Sequence, residues 1–110
     1  MRVQARVRQA RIAATKADEA MLAMALDLFA QDAGRYPTTA EGLAALVQPP
    51  PGVSKWSGPY LKKVTADPWG AAYTYSEAGG RYRVASAGPD GKPATGDDIV
   101  VAGPTPQPAR

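Results

Sequence analysis

Three aspartates, Asp90, Asp97 and Asp98, fall within the segment from Ser86 to Asp98. The glycines and prolines between them exclude a helix or a central strand, and almost nothing apolar anchors the segment. Carboxylates gathered in such a loop repel one another unless arginines reach them. A hard divalent cation reverses the sign of that problem, because Ca²⁺ takes about six to eight oxygens and tolerates irregular loop geometry. The carboxylates of Asp90, Asp97 and Asp98, with a few backbone carbonyls, would supply that number. The same residues also read as plain turn chemistry, with Asp capping its own backbone and Gly taking positive φ. Composition alone leaves both readings open. The spacing does not follow the EF-hand pattern. The chain has no His and no Cys, so zinc, copper and haem lack their usual ligands.

Other chemistry is poorly supported. No nucleophile elbow and no phosphate loop is present, so a hydrolase using Asp97 and Asp98 is disfavoured and the chain reads as a non-enzyme. Glu41 stands three residues after Thr38, a spacing that suits a capping box better than an acid catalyst. Trp56 and Trp69 suit loop anchoring better than a sugar platform. Arg2, Arg6, Arg8 and Arg11 put four positive charges and no acid in the first eleven residues, against a net charge of +3 for the whole chain. This basic arm could contact nucleic acid or an anionic membrane. A solvated helix face is favoured, since no aromatics are interleaved to stack on bases.

These residues need elements to hold them. At 110 residues the chain is one domain, expected over 1–102, with a disordered tail at 103–110. Residues from about 3 to 33 read as one long helix, rich in Ala, Leu, Met, Arg and Gln and free of Gly and Pro. Apolar residues recur at helical spacing through Ala10, Ala14, Ala17, Met21, Met24 and Leu28, and the methionines read as core filler. Met21, Leu22, Met24, Ala25, Leu26, Leu28 and Phe29 offer a wide apolar face, so the first turns should project and the later ones form the spine. Gly34 ends the helix. After Pro37, the Thr38–Glu41 box predicts a short second helix burying Leu43, Leu46 and Val47. The stretch 48–70 reads as a long connection pinned by Trp56, Pro59, Tyr60, Leu61, Pro68 and Trp69, with Asp67-Pro68-Trp69-Gly70 as a turn. Ala71–Ser76 and Arg81–Ser86 form a hairpin signal, and Ile99-Val100-Val101 reads as a third strand. No stretch is long enough to span a bilayer, the longest apolar run being Ala20 to Leu26. No apolar segment follows the basic start, which implies a cytoplasmic chain or a targeting segment outside this sequence.

In order along the chain stand Gln9-Ala10-Arg11, Thr15-Lys16-Ala17-Asp18, Ala25-Leu26-Asp27, Gly34-Arg35-Tyr36-Pro37-Thr38, Glu41-Gly42-Leu43 and Gly58-Pro59-Tyr60-Leu61. Asp67-Pro68-Trp69-Gly70, Tyr73, Tyr75, Ser86, Gly88, Asp90-Gly91 and Gly96-Asp97-Asp98 follow. In this combination the chain resembles the major pseudopilins of type II secretion systems, the G-type subunits. The resemblance implies an α+β, type IV pilin-like fold. In it a long N-terminal α-helix packs on a small antiparallel β-sheet of about three strands, with a short second helix and a calcium-binding C-terminal loop. It implies a structural subunit that self-assembles into a helical fibre, with minor pseudopilins and other secretion components as partners, acting in export of folded proteins across the outer membrane. A pilin-like subunit of a related type IV filament is the alternative, with nucleic-acid contact through the N-terminal arginines. It also implies Ca²⁺ bound by Asp90, Asp97 and Asp98, with backbone carbonyls near Ala87 and Thr95. The hydrophobic helix half that the family inserts in the inner membrane is expected ahead of residue 1, with this domain in the periplasm; without that half the chain is not expected to enter a membrane or build a normal fibre. Pro89 stands where the family often has Ala.

Overall fold

The computed structural model describes residues 2–88 and 98–104. One helix, α1 (Arg2–Ala33), is followed by a 3-10 helix (Leu43–Leu46) and three strands, β1 (Thr74–Ala78), β2 (Arg81–Ser86) and β3 (Ile99–Gly103). No helix of the described residues is long and apolar enough to cross a membrane. The helix ends where Gly34 takes φ 82° and its N–H donates to the Ala30 carbonyl at 2.8 Å. That left-handed cap needs a residue without a Cβ. Residues 5–11 are exposed, and Thr15 is the first described side chain of α1 to be buried, so the early turns project as expected.

The buried face of α1 is made by Leu22, Ala25, Leu26 and Phe29, which join Leu43, Ala45, Leu46, Tyr73, Tyr82 and Val84 in one core. This corrects the expected stripe. Met21, Met24 and Leu28 are 60%, 67% and 47% exposed, and Ala10, Ala14 and Ala17 are exposed as well. The methionines are therefore not core filler in this chain. The helix carries two apolar stripes roughly 100° apart at ~100° per residue. The sheet takes the one that continues N-terminally through Glu19 and Thr15. Those two polar residues interrupt the stripe in the sequence and hide it.

Tyrosines fix the helix's rotation. The hydroxyls of Tyr73, Tyr36 and Tyr60 donate to Asp18 (3.0 Å), Asp27 (2.9 Å) and Asp32 (2.5 Å) respectively. Each tyrosine lies in a different part of the chain beyond α1, so the three bonds tie separate segments to one helix.

The capping-box bonds are made, yet no α-helix follows. Thr38 N–H donates to Glu41 Oε1 at 2.9 Å and Glu41 N–H donates to Thr38 Oγ1 at 3.1 Å. Gly42 then takes φ 65° and redirects the chain into a single 3-10 turn. Its buried residues are Leu43, Ala45 and Leu46, and Val47 is only half-buried. The connection 48–70 is irregular, as its composition predicts. Trp56 Nε1 donates to the Ala45 carbonyl at 2.7 Å, and the Tyr60 and Leu61 amides both donate to the Leu46 carbonyl.

The sheet is antiparallel in the order β1-β2-β3. β1 and β2 meet across Gly79-Gly80, both at positive φ (60° and 83°), the requirement of a two-residue turn matched to strand twist. That turn is shorter than expected, and β1 accordingly runs on to Ala78. β3 also runs on, to Gly103, which pairs with Tyr82 and is buried. The sequence placed Gly103 in the tail; residues 105–110 lie outside the described residues.

Candidate metal loop and its buried base

The connection from β2 to β3 begins and ends at one place. Ser86 pairs with Ile99 in the last rung of the ladder, so Ala87 and Asp98 stand at the two ends of the same loop. Ala87 is half-buried, and Gly88 is buried with φ 75°. Asp90, Thr95 and Asp97 lie outside the described residues. Two of the five expected metal-binding positions, Ala87 and Asp98, thus each stand one residue beyond that last rung. Among the described residues no three Asp, Glu, His or Cys side chains gather to hold a metal, so a metal site here depends on Asp90 and Asp97. An arginine does reach this loop: Arg83 Nη2 lies 3.9 Å from Asp98 Oδ2, with Arg83 half-exposed and the Asp98 side chain 9% exposed. That separation leaves a loose ion pair rather than a hydrogen-bonded one.

Four polar residues are buried among the described ones, Thr15, Glu19, Asp67 and Ser86, and Asp67 and Glu19 both meet Ser86 at the end of β2, a buried polar base. Asp67 is its hub. Asp67 Oδ1 accepts from the Trp69 N–H at 3.1 Å and the Ala71 N–H at 2.8 Å, and Oδ2 accepts from Ser86 Oγ at 2.7 Å. The Ser86 hydroxyl oxygen in turn accepts from the Gly88 N–H at 3.1 Å. One carboxylate therefore joins the Asp67–Gly70 turn to the last residue of β2 and, through it, to the first turn of the loop. The turn itself was legible from Asp-Pro-Trp-Gly; the bond from Asp67 to a serine nineteen residues away was not. Thr15 Oγ1 donates to its own helix, to the Arg11 carbonyl at 2.8 Å. Burial pushes the Glu19 carboxyl up from 4.5 to about 7, against the lowering effect of a hydrogen bond from the Ser86 backbone. Burial also raises the Tyr73 hydroxyl, helped by its bond to Asp18.

The chain matches the family model described as type II secretion system (T2SS), protein G, over residues 2–102. It is similar to type II secretion system core protein G of Escherichia coli K12, with 42% identity over 89 residues, 76% of this chain and 61% of that protein. The corresponding protein of Pseudomonas aeruginosa is 39% identical over 102 residues, 87% of this chain and 72% of the relative. The chain thus spans about six-tenths to seven-tenths of the length of these two relatives. Its fold is similar to the crystal structure of the major pseudopilin from the type 2 secretion system of enterohaemorrhagic Escherichia coli. The TM-score is 0.79 at 33% identity, covering 91% of this chain and 93% of that one.

Proposed function

Because the chain belongs to the type II secretion system protein G family, we propose that it is the periplasmic domain of a pseudopilus subunit. In this reading it is a structural protein that assembles with copies of itself into a helical fibre, meets minor pseudopilins and other secretion components there, and acts in export of folded proteins. A membrane-inserted helix half ahead of residue 1 would anchor the subunit before assembly. The observation that carries the reading is the exposed apolar stripe of α1. Met21, Met24 and Leu28 are exposed alongside Ala10, Ala14 and Ala17, and a row of this kind favours burial against another surface. Small residues at its N-terminal end let helices approach closely, and the methionines adapt to irregular partners.

Calcium belongs to the same proposal. Asp90, Asp97 and Asp98, with the carbonyls of Ala87 and Thr95, would hold a Ca²⁺ that neutralises the loop's charge. Support comes from the all-oxygen donor set and from Ala87 and Asp98 standing at the two ends of one loop. Since the metal would bind the folded state, it adds stability by mass action.

Met24→Asp should leave the circular dichroism spectrum and melting of the isolated domain unchanged and abolish fibre formation by the full-length subunit. Fibre formation at the parent level in that variant would remove the stripe from the argument. Because the chain has no Cys, a lone Met24→Cys should also crosslink neighbouring copies in the fibre. For the metal, melting in chelator against millimolar Ca²⁺ should differ by several degrees, and Asp97→Ala should erase the difference. Identical melting in both would dismiss calcium.

A further inference from the structure

Glu19 is 2% exposed, and its Oε2 has no hydrogen-bond partner, the one such buried side-chain atom among the described residues. It sits on the face of α1 that the sheet covers, between Thr15 and Leu22, and the backbone of Ser86 at the end of β2 is directed at its carboxyl, a contact that favours the ionised form. Among the described residues, a carboxylate in that place is short of partners. From α1, Lys16 attracts it and Asp18 repels it; from β2, Arg83 attracts it. Arg83 is half-exposed and lies 3.9 Å from Asp98, so its charge is screened and shared. Tyr73 also faces Glu19, but its hydroxyl donates to Asp18. β3, from Ile99 to Gly103, brings no titratable group. A neutral carboxyl fits this site better than an ion, because burying an uncompensated charge costs far more than burying a neutral acid.

We propose that Glu19 is a proton-dependent latch between α1 and the end of β2. With the proton on, the carboxyl packs neutral against Ser86. With the proton lost, the Ser86 amide still favours the carboxylate, but the desolvated charge draws water under the sheet and opens the packing of α1 against the end of β2. The latch does not depend on calcium or on fibre assembly.

The direction with pH follows from the shift. The folded carboxyl, raised to about 7, keeps its proton where the unfolded one, near 4.5, has lost it. The penalty is therefore absent below the unfolded value, grows as pH rises between the two, and is complete above the folded one. Thermal melts of the chain in chelator at pH 5.5 and pH 8.0 test this. The parent should lose roughly 10 °C across that interval, and Glu19→Gln should lose far less. Carbon-detected NMR of the parent should show the Glu19 carboxyl titrating near 7, and amide exchange at Ser86 and Gly88, corrected for intrinsic rate, should quicken at the higher pH. Glu19 titrating with the exposed glutamates would overturn the latch even if Glu19→Gln fails to fold. So would a pH-dependent loss of equal size in parent and variant.

Discussion

Replacing Asp67 by Ala tests whether the buried base organises this end of the domain. The carboxylate is 4% exposed and accepts from two backbone amides and one hydroxyl. Removing it leaves the Trp69 and Ala71 amides without that acceptor, and water reaches a buried site poorly. At ~1–3 kcal/mol for each of these two half-buried donors left unsatisfied, less the carboxylate's own desolvation, the expected loss is about 2–4 kcal/mol. For a domain whose whole stability is of order 5–15 kcal/mol, that is a large fraction. Asp67→Asn separates shape from charge. Its carbonyl still accepts from both amides, and its NH₂ meets the Ser86 hydroxyl, which can reverse its bond, so about 1 kcal/mol is expected. Urea denaturation followed by tryptophan fluorescence in chelator measures both. The reasoning fails if Asp67→Ala lies within about 1 kcal/mol of the parent, or if Asn and Ala are equally damaging.

Three further substitutions separate deep contacts from superficial ones. Tyr73→Phe removes one hydroxyl that donates to half-buried Asp18, and denaturation should show a loss of about 1 kcal/mol. Gly103→Ala would place a Cβ 2.5 Å from Tyr82 Cε2; that ring is buried, so overpacking should lower stability by about 1–3 kcal/mol in the same assay. Arg35→Ala breaks a well-formed pair with Glu41 at 2.8 Å, but Arg35 is 43% exposed, so the loss should stay below about 1 kcal/mol and shrink further in salt.

Much of the fold was legible in the sequence. The helix showed in an uninterrupted run of helix formers closed by Gly34, and the hairpin in two alternating runs around Gly79-Gly80. These signals are local, set by backbone preference within a few residues. The rotation of the helix was not legible. Two apolar stripes compete on α1, and choosing between them depends on what the rest of the chain presents. Tyr36, Tyr60 and Tyr73 reach Asp27, Asp32 and Asp18, and Leu43, Leu46 and Val84 need Leu22, Leu26 and Phe29. The short second helix forms only as a 3-10 turn, for a local reason that was open to view. Gly42 follows the capping box directly, and its left-handed φ halts a helix whose first hydrogen bonds are already made.

The candidate site divides in the same way. Residue type alone placed three carboxylates in one loop and excluded soft-metal ligands, because donor chemistry is a property of each side chain. That Ser86 pairs with Ile99, that Asp67 bonds Ser86, and that Glu19 is walled in beneath them were decided only by tertiary structure. Those contacts join residues thirteen to sixty-seven positions apart, and burial, which sets the protonation of Glu19, exists only once the sheet has closed over the helix.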